Sequence, residues 1–314
     1  MRLPPYESIK LTEACILVAP DTLVKYAGPR TAIKILNSGT LRWSSPALFD
    51  EPWNVKLDPR LDFDHHLVSK AMLKAAAAMI FTRELPAGNV DHPLYKAIRR
   101  WRAEDRFHDE TEAHDALSEL LAPTPETVRA KLQQMVSTWK TLVETARLVC
   151  FSETHKDLNS WRHYAQNYRG VAMRFSCEGA LKDPIAMEYT NTPPKLTTLK
   201  EQVDDLVGIK RAPTPDSYQS KMFVKSKAEA PEKEWRCLRV MREEDLDCGE
   251  DVEDWYMDEP FPATELKAVY LGFMMEENTK AEIIDLLATA YPGTIVYLTK
   301  PQEDTYDLDF VKLR

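Results

Sequence analysis

Glycine is scarce in this sequence. Nine glycines are spread over 314 residues, and the two nearest, Gly170 and Gly179, stand nine positions apart. A GxGxxG turn, a Walker loop and a GxSxG elbow all need closer glycines, so these phosphate-cradling and hydrolase motifs are excluded. No HExxH occurs, and the five cysteines, Cys15, Cys150, Cys177, Cys237 and Cys248, form no CxxC pair. Zinc knuckles and dithiol redox motifs are therefore not written here. Cys150 and Cys237 lie in apolar runs and read as small buried hydrophobes rather than nucleophiles. The longest apolar run, Ala75 to Phe81, is far too short to cross a bilayer. MRLPPYESIK has no apolar stretch of the kind a secretory signal needs, so cytoplasmic residence with no membrane partner is expected.

The net charge of −9 is unevenly distributed. Glu243 to Glu259 holds ten acidic residues and no Lys or Arg, so the remainder carries about one positive charge. Long-range attraction to nucleic acid does not follow from such a body. The basic run Arg99-Arg100-Trp101-Arg102 leaves nucleic-acid processing as an alternative, against a merely solvated helix face. His65 and His66, with Asp62 and Asp64, fit a solvated helix start better than a metal site, because adjacent helical side chains diverge by about 100°.

With 44% hydrophobic residues and seven Trp, a sizeable core is within reach. Residues 1–26 read as a strand-like lead-in, followed by a helix from Pro29 that Gly39 closes, and by the short strand TLRWSS. Pro46, Pro52 and Pro59 mark a rigid loop. From 61 to 146 the pattern turns helical, with Leu67, Ala71, Leu73, Ala75 and Ala78 on the first apolar face. Strand character returns at 147–152, 170–176, 234–240, 266–272, 294–299 and 306–311, with a helix over 276–291. The fold expected is α+β, a mostly antiparallel sheet with a helical subdomain inserted at 61–146 between core segments 1–60 and 147–314.

The densest polar and aromatic stretch is RLVCFSETHKDLNSWRHYAQNYRGVAMR, Arg147 to Arg174. Asp157 is placed to cap a short helix whose one face carries Trp161, Tyr164, Ala165 and Tyr168. Trp161 suits either a packed aromatic stripe or a ligand platform. His163 and Tyr164 are equally suited to gripping a planar ligand and its hydroxyls. Ser152 ends the preceding strand, where a sheet delivers polar groups to a cleft. Glu232 and Glu234 would share one strand face, and like charges there tend to raise one carboxyl's pKa. Such a pair suits stabilising an oxocarbenium ion and holding a ribose hydroxyl. Equally, it suits a solvent-facing edge strand balanced by Lys225 and Arg236.

Three segments, LNSGTLRWSSPALFDEPWN, VCFSETHKDLNSWRHYAQNYRGVAMRF and EKEWR, resemble the bacterial family catalogued as domain of unknown function 2971. Asp50-Glu51-Pro52 replaces that family's Asn-Asp-Pro, and Tyr168-Arg169 stands where His-Lys is common. A second similarity, to ADP-ribosyltransferases, implies a split antiparallel sheet bearing an early Arg or His, a Ser-Thr-Ser-like strand and a late Glu-x-Glu. Tyr26 or Arg30, then Trp43-Ser44-Ser45, then Glu232-Lys233-Glu234 follow that order. The resemblance implies NAD as co-substrate, Ser44 beneath the nicotinamide ribose, Tyr164 or Trp161 stacked near the nicotinamide, and Glu234 on the ribose 2′-hydroxyl. Two functions are thus expected: an ADP-ribosyl-transferring enzyme of bacterial defence or stress with a macromolecular acceptor, or a non-catalytic module that senses a nucleotide or small ligand.

Overall fold

The computed structural model describes residues 19–49, 59, 61–122, 124–241 and 255–314. The lead-in before residue 19, Asp50-Glu51-Pro52, Cys15, Cys248 and most of the acidic segment lie outside the described residues. The described parts of 1–54, 143–193 and 222–314 form one unit, and those of 55–142 and 194–221 form another. The helical unit thus differs from the expected 61–146 by taking in a second stretch of chain, 194–221.

The first unit is α+β. Its strands are β1 (Thr22–Ala27), β2 (Thr40–Ser44), β3 (Ala146–Ser152), β4 (Val171–Ser176), β5 (Ile185–Ala186), β6 (Glu188–Thr190), β7 (Val224–Ser226), β8 (Glu234–Val240), β9 (Tyr256–Pro260), β10 (Leu266–Leu271), β11 (Ile295–Pro301) and β12 (Leu308–Lys312). Ten of them make one mostly antiparallel sheet in the order β12-β11-β10-β4-β1-β3-β2-β9, with β8 pairing β3 and β5 off this path, while β6 and β7 pair separately. At β3 the sheet divides. β8 pairs with all seven β3 residues along one edge, whereas the other edge is shared. There β1 meets β3 only at Val24 and Ser152, and β2 meets it only at Ser44 and Leu148. The sheet is therefore split, and β1 and β3 diverge away from their single pairing.

Alternation along β1 assigns the two faces. Leu23 and Ala27 join a core closed by α1 (Pro29–Ser38) and α9 (Glu277–Ala290), through Ile35, Leu36, Ile283 and Leu287. Val24 packs on the opposite face with Trp161, Ala165, Ala172 and Tyr270. In the helical unit, α2 (His65–Phe81) buries Val68, Met72, Ala76, Met79 and Ile80. That face is rotated from the expected one: Leu67 and Ala78 are exposed, because α2 packs on α4 (Glu110–Leu120) and α7 (Leu199–Leu206). Asp64 caps α2 by accepting from Leu67 N–H at 2.8 Å, so His65 and His66 do open a helix. In α3 (Pro93–Ala103), Arg102 donates to the Met79 and Ile80 carbonyls near the end of α2, Arg100 pairs with Glu104, and Trp101 packs on the helical core. Those partners give most of the basic run structural work.

The short helix α6 (Leu158–His163) is capped by Asp157, which accepts from Ser160 N–H at 2.7 Å. It ends sooner than a continuous aromatic face requires. Gln166, Asn167 and Tyr168 all adopt left-handed φ, +48°, +53° and +63°, a region costing about 1–2 kcal/mol per non-glycine residue. Hydrogen bonds from Asn167 N–H to the Arg162 carbonyl and from Tyr168 N–H to the Trp161 carbonyl hold the turn. Room for it comes from two glycines: a Cβ on Gly170 would lie 2.1 Å from the Ala27 carbonyl oxygen, and one on Gly272 would lie 2.0 Å from that of Tyr168. Because the obstructing atoms are backbone, Gly170→Ala is expected to lower unfolding free energy by about 2–3 kcal/mol, read from the denaturant midpoint. A shift under about 0.5 kcal/mol would show that the turn gives way freely.

Candidate functional site

A cavity of about 380 Å³ opens in the sheet-bearing unit, at the small end of the roughly 300–1,000 Å³ of ligand sites. β1 contributes Lys25 and Tyr26, β3 contributes Cys150, Phe151 and Ser152, and α6 with its cap contributes Ser160 and Tyr164. Lys225 of β7, the Glu232 turn and Glu234 of β8 complete the polar wall, with Leu48 and Phe49 opposite in character.

Glu232 and Glu234 do not share a strand. Glu232 ends a 3₁₀ turn over Lys227–Glu232, and Lys233 takes a left-handed conformation (φ 44°, ψ 52°) before β8 begins at Glu234. Three hydrogen bonds fix this corner: Lys233 N–H donates to the Ala230 carbonyl, Glu153 N–H to that of Lys233, and Ser152 Oγ to that of Glu232 at 2.7 Å. The two carboxylates converge on Lys225, each 2.9 Å from its Nζ, with Glu229 at 3.3 Å. Lys225 is delivered by β7 opposite Tyr189 of β6, whose hydroxyl accepts from Glu234 N–H at 2.7 Å. Behind Glu234 the buried Arg236 donates Nε to Glu234 Oε1 at 2.6 Å and Nη1 to the Met222 carbonyl. The alternative of a solvent-facing edge strand fails: β8 lies between β3 and β5, and Glu234 and Arg236 are buried.

The surroundings drive the two carboxyls apart. Burial alone would raise Glu234, but Arg236 and Lys225 override it and hold the group at about 2. For Glu232 burial wins over Lys225, and the neighbouring Glu234 and Glu229 add to it, so this carboxyl is raised. Tyr164 donates its hydroxyl to Glu232 Oε1 at 3.3 Å, and its own pKa is raised, chiefly by burial. Lys225 itself is raised well above its ordinary value, because its carboxylates outweigh the burial that opposes charge. One member of the pair thus stays an anion while the other holds a proton more readily, the division that acid–base sites use.

Of the other expected site residues, Tyr26 and Ser152 line the cavity, Tyr26 donating its hydroxyl to the Thr154 carbonyl. Trp161 does not: its ring is wholly buried between Tyr26 and Tyr168, and its indole N–H donates to the His155 carbonyl. It is a core residue, because the left-handed turn carries Tyr168 over it. His163 is exposed at the end of α6 and Arg30 is exposed on α1, both outside the cavity lining. Trp43 is core, and Ser44 sits in the β2 ladder between Leu148 and Tyr256. Ser45 is buried, donating to the Val143 carbonyl and capping the next turn. Because β2 joins β3 at the far end from Ser152, the serine-bearing strand does not reach the glutamates. Lys25 and Phe49 were not anticipated, and nothing local in the sequence marks them. Among the described residues no group of three metal-ligating side chains occurs, and no helix is long and apolar enough to cross a membrane.

Models of known protein families, curated proteins and solved structures were compared with the chain, and none matches.

Glu234 has a folded pKa below its unfolded value of about 4.5, so its contribution to stability is complete above that pH and drains away as the pH falls toward 2. Glu234→Gln should flatten the stability–pH curve across that window, measured by chemical denaturation. An unchanged slope would show that the ion pairs do not hold the carboxylate ionised.

Proposed function

We propose that the cavity binds a ligand joining a planar ring to sugar hydroxyls and breaks its glycosidic bond, with NAD as co-substrate. The observation that carries this reading is the one lysine shared by two carboxylates of opposite pKa displacement. Glu234, pinned by Arg236 and Lys225, supplies fixed negative charge toward a developing oxocarbenium ion. Glu232 acts as general base, a role distinct from the ribose 2′-hydroxyl contact expected of Glu234. As the ring–sugar C–N bond breaks, nicotinamide leaves with the bonding electron pair. An acceptor hydroxyl then bonds to the anomeric carbon and passes its proton to Glu232. Tyr164, Tyr26 and Phe49 offer aromatic surface for the planar ring. Membership of the family called domain of unknown function 2971, residence in a bacterial cytoplasm and a role in defence or stress belong to the same proposal. They rest on the three quoted segments.

A second reading is favoured by one specific feature: both Glu234 oxygens are already engaged, Oε1 by Arg236 and Oε2 by Lys225. A non-catalytic module that senses a nucleotide or small ligand needs no free carboxylate. Incubation with NAD and chromatography of released nicotinamide separates the two. The enzyme reading expects turnover that Glu232→Gln lowers by about 10²–10⁴-fold. Binding of NAD or ADP-ribose by calorimetry without nicotinamide release would leave the sensor reading in its place.

A further inference from the structure

The cavity holds two lysines in unlike electrostatic positions. Lys225 faces three carboxylates. Lys25 has none within ion-pair distance among the described residues. Its Nζ donates to the Cys150 carbonyl at 3.2 Å and stands 5.5 Å from the centre of the Phe151 ring. The split in the sheet explains this placement. Where β1 and β3 diverge from the pairing of Val24 with Ser152, the Lys25 side chain reaches across to a β3 carbonyl. Val24, Leu48, Phe49 and Cys150 line the same cavity. The thiol is no competing nucleophile, since burial pushes it up to about 12.

An ammonium in such a half-buried setting loses part of its hydration and gains no close anion in exchange. Burial lowers the Lys25 pKa, and the more distant Glu234 and the cysteines offset this only in part. A lysine amine desolvated among apolar groups is the form that attacks carbonyl carbon, whereas an ammonium has no lone pair to give.

We propose that Lys25 is a covalent capture site whose Nζ condenses with the carbonyl carbon of a small aldehyde or ketone held in the cavity. The amine lone pair forms the C–N bond, and the carbonyl oxygen leaves as water with the two amine protons. The product is an imine, and no oxidant or reductant is consumed. Glu232 lines the same cavity and is its more readily protonated carboxyl. The ligand class is a carbonyl compound small enough for about 380 Å³, and the open-chain form of a reducing sugar belongs to it. This inference stands apart from glycosyl transfer and survives if no NAD is turned over.

The test uses the full chain at pH 7, one equivalent of propanal and sodium cyanoborohydride, which reduces any imine to a stable secondary amine. Peptide mass spectrometry then reads the alkylation rate at each lysine. Lys25 is expected to react at least tenfold faster than the exposed Lys34 and Lys267. Lys25→Arg should remove that fast phase and leave labelling of the exposed lysines unchanged, with circular dichroism confirming the fold. A Lys25 that labels no faster than Lys34, or a fast phase at Lys225, would overturn the proposal. The wild-type measurement decides the matter even if Lys25→Arg does not fold.

Discussion

An ammonium group almost without access to water, Lys225, is the constraint around which the candidate site is arranged. Removing such an ion from water costs several kcal/mol, which partners must offset through close contact. Three carboxylates supply that contact, and Arg236 brings a second buried cation against the same Glu234. Among the described residues three carboxylates thus share two cations, and a proton arriving there meets unequal sites. Glu234, bracketed by both cations, is the last to accept that proton, and Glu232 is the acid that burial favours in neutral form. The asymmetry thus arises from position relative to two cations, not from any difference between the two residues.

The backbone prepares this arrangement. Division of the sheet at β3 lets β8 run its full length beside that strand while β1 and β2 take opposite ends of the other edge. Parting of β1 from β3 leaves space that Lys25, Tyr26 and Tyr164 border. The left-handed turn after α6 keeps Tyr168 stacked over Trp161, while Tyr164, before the turn, faces Glu232. Side chains that sequence spacing assigned to one helical face are thereby sorted between core and cavity.

Much of the fold was legible because its signals are local. The alternating runs that become β4, β8 and β10, the Asp157 cap and the Gly39 stop all operate within a few residues. Pairing Glu232 with Glu234 was legible as well, though by an argument that did not hold. A common strand face would have aligned them, whereas a left-handed Lys233 and a salt bridge from β7 bring them together. Signals that depend on distant pairing were not legible. Trp43-Ser44-Ser45 stands in the order expected of a serine-bearing strand, yet β2 meets β3 at Leu148, four residues from Ser152. The attachment of 194–221 to the helical unit, and the lack of an ion-pair partner for Lys25 among the described residues, likewise follow from tertiary placement. Wherever one strand's partner decides a role, the sequence around that strand cannot announce it.

The division of labour between the two glutamates is tested most directly by carbon-detected NMR of their side-chain carboxyls across a pH titration. Glu234 should titrate near 2 and Glu232 above the ordinary value of about 4.5, with Lys225→Met raising both while Arg236 keeps Glu234 the lower. Two carboxyls titrating together near 4.5 in the intact protein would contradict it, and the cavity would then have no acid distinct from its anion.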